Sequence, residues 1–109
     1  MLTGGVHLLI DGRLSQSLSA TRLNSFLRHF PAYIHMHRFT NPMVYSVPAG
    51  CAGIVGIAES HIAVHVTGDL AWVDVFSCKD FDTDRATAAI QYLLRMSLCH
   101  TQVLARPMP

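Results

Sequence analysis

The sequence predicts a single α+β domain over residues 1–109, built as a two-layer sandwich with two helices on one face of an antiparallel-rich sheet. Segments with alternating apolar residues and segments with apolar residues at helical spacing follow one another in the order strand, helix, strands, helix, strand. A length of 109 residues is typical of one domain. Hydrophobic residues make up 50% of the chain and charged residues only 14%, so we expect a dimer that buries part of this apolar surface.

The first part of the chain predicts one strand and one helix. Gly5–Asp11 has the pattern of a strand, and the Asp11-Gly12 pair predicts a turn after it. Ser19–Phe30 is predicted to be an amphipathic helix, which Pro31 ends. The apolar residues at helical spacing in it are Leu23, Phe26, Leu27 and Phe30.

The middle of the chain predicts extended segments. Tyr33–Phe39 alternates and is predicted to be a strand, and Met43–Val47 is a short extended piece. Gly53–Ala58 is a predicted strand that contains two glycines, at 53 and 56. Glycines inside a strand indicate that another part of the chain approaches the backbone closely.

The last part predicts a hairpin, a helix and a final strand. His61–Val66 and Leu70–Ser77 form the hairpin, across a turn at residues 67–69. Asp82–Leu98 is the predicted second helix, with Asp82 or Thr83 as its cap, and His100–Ala105 is a candidate last strand.

The predicted register of the hairpin brings a serine towards a cysteine. If Val66 pairs with Leu70, Ser60 faces Phe76, with an uncertainty of one residue. Cys78 is then the diagonal neighbour of Ser60 on the same face. Lys79, the single lysine of the chain, follows this cysteine and favours its thiolate.

Composition excludes several classes of function. No apolar run approaches the ~20 residues of a membrane span, and the N-terminus lacks the pattern of a secretory signal. A net charge of +1 with scattered arginines gives no basis for binding nucleic acid. Three cysteines, an odd number, fit a reducing compartment. We therefore expect a cytoplasmic protein with a small-molecule substrate, and neither a membrane nor a nucleic-acid partner.

The histidine pairs do not predict a metal site. On a strand, the four residues from His61 to His65 span about 13 Å, too far for both side chains to share one ion. His35 and His37 are better spaced, but no third ligand lies near them in the sequence. We expect no metal.

The run GIAESHIAVH places reactive side chains inside an apolar strand pattern. Glu59 is the single glutamate of the chain, and Ser60 follows it. No G-x-S-x-G motif surrounds Ser60, so a serine hydrolase of that type is not indicated. His65 lies five residues from Ser60, about 16 Å along an extended chain, on the opposite face. A histidine that serves Ser60 would therefore come from a second copy of the protein.

Taken together, these residues resemble the bacterial-type S-adenosylmethionine decarboxylases. The signature is A-E-S-H-I-x-x-H, from Ala58 to His65, followed by V-D-V-F-S-C, which ends at Cys78, and G-x-H-L-L-I-D resembles the first strand of the family. The resemblance implies that the Ser60 hydroxyl attacks the carbonyl of Glu59 and that β-elimination then cuts the chain into residues 1–59 and 60–109. Ser60 would become a covalent pyruvoyl group.

The resemblance also implies the reaction. The pyruvoyl carbonyl would form a Schiff base with the substrate amine and act as an electron sink for loss of CO₂. The product would be decarboxylated S-adenosylmethionine, the aminopropyl donor for spermidine and polyamine biosynthesis. Homodimers would share active sites.

The resemblance also implies roles for residues at matching positions of this sequence. Cys78 resembles the proton donor of the family, and His65 the histidine that assists elimination. Glu59 is expected to bind the substrate ribose, and the backbone of Ile57 to approach the adenine. Asp69 lies where the family has a second ribose-binding glutamate.

Two positions depart from the family pattern and leave alternatives open. Ala52 replaces a serine that assists processing in the family, and Val66-Thr67-Gly68-Asp69 replaces the usual run T-W-P-E. The second departure allows the same pyruvoyl chemistry on another amino acid, such as ornithine or arginine. The first allows an uncleaved, non-catalytic relative that acts as a binding or regulatory subunit.

Overall fold

The computed structural model describes residues 3–58 and 60–108, which form one antiparallel sheet and two helices. Six strands lie in the order β2-β3-β4-β5-β1-β6. The elements in chain order are β1 Thr3–Leu14, α1 Ala20–Tyr33, β2 Met43–Val47, β3 Gly50–Ile57, β4 Ser60–Thr67, β5 Leu70–Ser77, α2 Thr83–Leu94 and β6 Met96–Pro107.

The core lies between the sheet and the helices. Every second strand residue is buried, as with Ile62 and Val64 in β4, because successive side chains point to opposite faces. Both helices contribute to the same core cluster, α1 through Leu23, Phe26, Leu27 and Phe30, and α2 through Ala86, Ile90 and Leu94. The predicted α+β architecture with both helices on one face is confirmed. Neither helix within the described ranges is long and apolar enough to cross a membrane.

In residues 3–58 and 60–108 no helix covers the opposite side of the sheet, which we call the open face. Its residues include Leu9, Ile54, His65, Trp72 and Asp74, which lie side by side in two rows across the strands. Ile54 and Trp72 are 45% and 40% exposed, so this face presents large apolar side chains to solvent. An apolar sheet face of this kind is a candidate contact surface.

The first strand is longer than predicted. Asp11 and Gly12 lie within β1, where Gly12 pairs with Ala71 on one side and with Cys99 on the other. β1 is an inner strand bonded on both edges, so its ladder overrides the local turn preference of the Asp-Gly pair. The predicted turn at Asp11-Gly12 was wrong.

The predicted strand Tyr33–Phe39 was also wrong. Helix α1 runs through Pro31 to Tyr33, and the chain then leaves the helix. The Pro31 carbonyl accepts backbone N–H bonds from Ile34 and Met36, and His35 adopts a left-handed φ of 58°. The carbonyls in the last turn of a helix have no partner within it, so the Pro31 carbonyl can accept these bonds and the chain turns here instead of extending.

The second helix ends four residues earlier than predicted. Asp82 is its N-cap, and its side chain accepts the backbone N–H of Arg85. Arg95 takes a left-handed conformation with φ of 58°, which stops the helix after Leu94. The segment predicted as the last helical turn instead opens β6, which begins at Met96 and is longer than the predicted His100–Ala105.

The two strand glycines mark close approaches, as predicted. A Cβ atom on Gly53 would come within 2.8 Å of a Leu27 methyl group of α1. A Cβ on Gly56 would meet the Thr40 side chain at 3.2 Å. Gly56 also donates its N–H to Thr40 Oγ1 at 2.9 Å, which fastens the segment after α1 to the sheet.

Candidate active site

Ser60 is the first residue of β4 and pairs with Ile57, the last residue of β3. On its other side His61 pairs with Phe76, so Ser60 lies opposite Ser77. The predicted pairing of Ser60 with Phe76 was wrong by one residue. Thr67 pairs with Leu70 across a two-residue turn in which Gly68 has a φ of 60°, and this turn sets the register.

The hydroxyl of Ser60 is held by Ser77. Ser60 Oγ donates to Ser77 Oγ at 2.9 Å. Ser77 is fully buried, and its hydroxyl oxygen also accepts the backbone N–H of Lys79 at 3.0 Å. The half-buried Ser60 hydroxyl therefore has a fixed position at the end of the hairpin.

Ser60 opens onto a cleft of about 380 Å³. The cleft is lined by Phe39, Gly56, Ile57, Ala58, Ser60, His61 and Phe76. Phe39, which is 80% exposed, is brought there because its N–H donates to the Gly56 carbonyl at 2.7 Å. Ala58, two residues before Ser60, has a φ of 28°, a conformation that costs an L-residue free energy.

A second cavity of about 510 Å³ adjoins the cleft, and both are lined by His61 and Phe76. Arg106 lies 5.8 Å from the centre of the Phe76 ring. The His7 ring meets the same aromatic edge-on at 6.0 Å, and His7 Nε2 lies 3.5 Å from a carboxylate oxygen of Asp74. Polar and aromatic groups thus line the open face next to the end of the hairpin at which Ser60 lies.

Cys78 follows the last residue of β5 and is exposed. Ser60 lies opposite Ser77, and neighbouring residues of a strand alternate between faces. The prediction that Cys78 is a diagonal neighbour of Ser60 on the same face was therefore wrong. It lies instead in the turn that the Lys79–Ser77 hydrogen bond closes.

His65 lies on the open face, away from Ser60. It pairs with Ala52 on β3 and with Trp72 on β5, and its ring centre is 5.9 Å from that of the Trp72 ring. Ser60 and His65 are separated by an odd number of residues on one strand, so their side chains point to opposite faces, as predicted. One chain does not bring them together.

The remaining predicted site residues lie at both ends of the hairpin. Ile57 is buried beside Ser60. Asp69 lies in the turn at the far end, where Arg13 Nη1 donates to its carboxylate at 2.5 Å. Glu59 lies outside the described residues.

Sequence reasoning missed Ser77. A serine next to a cysteine at the end of an apolar strand was the available signal, but the predicted register, shifted by one residue, has Phe76 and not Ser77 opposite Ser60. Within residues 3–58 and 60–108, no three His, Cys, Asp or Glu side chains lie close enough to hold a metal ion.

Comparison with known proteins gives a consistent result. Residues 7–107 match the family model described as S-adenosylmethionine decarboxylase. S-adenosylmethionine decarboxylase proenzymes from Aquifex aeolicus and Thermoplasma volcanium are each 29% identical to this chain over 84% of its length, and the matches cover 70% and 72% of those relatives. A crystal structure of the adenosylmethionine decarboxylase from Aquifex aeolicus superposes with a TM-score of 0.79 at 26% identity, covering 100% of this chain and 95% of that one.

Proposed function

The chain belongs to the S-adenosylmethionine decarboxylase family, and we propose that it is a proenzyme that cuts itself between Glu59 and Ser60 and then decarboxylates S-adenosylmethionine. The product would serve as the aminopropyl donor of spermidine synthesis. The observation that carries the proposal is the Ser60 hydroxyl, which is fixed by Ser77 at the mouth of a cleft.

The site fits a pyruvoyl group derived from Ser60. Ser60 begins β4 immediately after the proposed scissile bond and lines the cleft, so a group formed from it would remain in contact with a substrate bound there. A pyruvoyl carbonyl supplies an electron sink for the loss of CO₂ from an α-amino acid. Phe76 and Phe39 offer aromatic faces to the cationic sulfonium of the substrate.

Cys78 and His65 are assigned different steps. Cys78, exposed two residues past Phe76 of the cleft, is the proposed donor of a proton to the substrate α-carbon. His65 is the proposed proton acceptor in the elimination step of processing. Because it faces away from Ser60 in its own chain, it would act on the Ser60 of a second copy.

A homodimer with shared sites follows from this assignment, in which the open face that carries His65 contacts the end of the partner's hairpin at which Ser60 lies. Complementation tests it. Ser60→Ala and His65→Ala chains, each inactive alone, should restore cleavage when they are co-expressed, and only the chain that retains Ser60 should be cut. If His65→Ala alone is cleaved at the wild-type rate, His65 has no role in processing.

One observation favours a different substrate. Asp69, the proposed counterpart of a ribose-binding glutamate, is already engaged by Arg13. A carboxylate held in an ion pair is less available to the hydroxyl groups of a ribose, which keeps ornithine and arginine as alternative substrates. Release of CO₂ from S-adenosylmethionine, ornithine and arginine should be compared, with Ser60→Ala as the control. Release from S-adenosylmethionine alone supports the main proposal, and release from ornithine or arginine alone replaces it.

An uncleaved regulatory subunit is the third candidate. Ala52 lies directly opposite His65, at the position where the resemblance implies a serine that assists processing. If the purified protein remains intact on prolonged incubation and releases no CO₂, this candidate takes precedence.

A further inference from the structure

Ser77 makes contacts that the roles of Ser60, His65 and Cys78 do not explain. In the part of the chain that the structure describes, it is the one polar residue in the buried core, with 0% exposure. A hydroxyl in such a place needs hydrogen-bond partners. One of its two partners is Ser60, the residue at the proposed cleavage site.

We propose that Ser77 is a positioning residue for self-cleavage, which orients the Ser60 hydroxyl for attack on the preceding carbonyl. The inference rests on the proposed function and adds a residue to its first step. It depends on three features: the 2.9 Å contact between the two hydroxyl oxygens, the full burial of Ser77, and the backbone bond that anchors it.

The backbone bond anchors the Ser77 hydroxyl and leaves it one further acceptor position. The N–H of Lys79 occupies one acceptor position on Ser77 Oγ, at 3.0 Å. The second acceptor position receives the hydrogen of the Ser60 hydroxyl. With Ser60 as the donor, as in this arrangement, both lone pairs of its oxygen remain available for attack on a carbonyl carbon.

The step itself needs no other reactant. A bond forms between Ser60 Oγ and the carbonyl carbon of Glu59, and the C–N bond between the two residues breaks. The proton of the hydroxyl ends on the freed nitrogen of Ser60. An acceptor that holds this hydrogen in a fixed direction raises the fraction of time in which Ser60 is oriented to react.

Burial makes Ser77 suited to this role. Since no water reaches Ser77, water does not compete with Ser60 for the second acceptor position. The register reinforces the contact, because Ser60 is tied to Ile57 on one side and the hairpin ladder begins at His61 and Phe76 on the other. The same hydroxyl closes the turn that carries Cys78.

A purely structural role for Ser77 makes a different prediction. If Ser77 only satisfies the N–H of Lys79, replacing it would change stability but not the rate at which the folded chain cuts itself. Rates of cleavage must therefore be measured on folded protein and compared with a hydroxyl removed elsewhere. Thr87 provides that control, because its hydroxyl donates to the Thr83 carbonyl within α2, away from the cleft.

The experiment follows the appearance of cleaved chains after synthesis in a cell-free system. The variants are wild type, Ser77→Ala, Ser77→Cys, Ser77→Thr and Thr87→Ala, with circular dichroism as a check of folding. Ser77→Ala and Ser77→Cys should slow cleavage roughly tenfold or more, the effect of losing one hydrogen bond to the reacting group. Ser77→Thr should return the rate to within about threefold of wild type, and Thr87→Ala should match wild type. Ser77→Cys keeps the volume but accepts hydrogen bonds weakly, so it remains decisive if Ser77→Ala does not fold.

Hydroxylamine identifies the step that is affected. It cuts the ester formed by the attack of Ser60 and thereby bypasses the later elimination. Slow cleavage of the Ser77→Ala or Ser77→Cys chain with hydroxylamine present supports the proposal, because ester formation is then the slowed step. Cleavage of these variants at the wild-type rate without hydroxylamine overturns it. Slow cleavage that hydroxylamine restores to the wild-type rate also overturns it, because elimination is then the slowed step. If the wild-type chain itself is never cut, the proposed function fails and this inference with it.

Discussion

Replacing Ala52 with serine should accelerate self-cleavage, because it places a hydroxyl directly opposite His65. The two residues are paired across β3 and β4, and paired Cβ atoms in an antiparallel sheet lie about 4.5–5.5 Å apart. A serine hydroxyl added to one Cβ therefore comes within reach of the imidazole on the other. Ala52 is 6% exposed, so the new hydroxyl would be largely buried and would need this partner.

The magnitude follows from the hydrogen bond that forms. Leaving a buried hydroxyl unpaired costs about 1–3 kcal/mol, whereas a bond to His65 offsets most of that cost. We expect the free energy of unfolding to change by less than about 1 kcal/mol. Positioned proton transfer accelerates reactions by roughly 10²–10⁴-fold, and a single bond to the transferring group by roughly tenfold. Cleavage of Ala52→Ser should thus be about ten- to a hundredfold faster than that of wild type.

The assay is a time course of intact and cleaved chains after cell-free synthesis, resolved by mass. Ala63→Ser is the matched control, because it adds the same hydroxyl to the open face of β4, opposite Ile54 and Asp74. In the double variant Ala52→Ser with His65→Ala, the acceleration should disappear. Equal rates for Ala52→Ser and wild type, or an acceleration that survives the loss of His65, would refute the reasoning.

Three further outcomes can be checked. Phe30→Ala removes a fully buried ring that stacks on Phe26 and should lower the free energy of unfolding by about 3–5 kcal/mol in urea denaturation, while Tyr92→Ala, at an exposed position, should change it by less than about 0.5 kcal/mol. Thiol reagents should modify exposed Cys78 rapidly and buried Cys51 only on unfolding, so equal labelling rates would contradict the burial. Burial raises the pKa of the Cys51 thiol, so the unfolded chain loses this proton from about pH 9 upward while the folded chain keeps it. Stability should therefore fall as pH rises above about 9, by less in Cys51→Ala than in wild type.

The periodic parts of the fold could be predicted from sequence. Helix α1, the hairpin and the close approaches at Gly53 and Gly56 all depend on local patterns with a direct physical cause. The wrong predictions concern segments whose conformation is set by neighbouring elements of the fold. Two adjacent strands hold Asp11 and Gly12 in an extended ladder that the local sequence does not indicate.

The candidate site could be predicted in part. The motif around Ser60 was evident, and strand alternation correctly placed His65 on the other face. Which residue lies opposite Ser60 depends on the length of the turn between β4 and β5. A shift of one residue in this pairing moves every side chain of the strand to the other face of the sheet. For that reason the sequence does not predict Ser77 as the partner of Ser60, and the face predicted for Cys78 is wrong.

The central claim is that this chain makes its own cofactor from Ser60, and an intact mass spectrum of the purified protein under denaturing conditions tests it most directly. We predict two chains, residues 1–59 and 60–109, the second with a pyruvoyl group in place of its N-terminal serine. A single chain of 12.0 kDa that persists on prolonged incubation would contradict the account.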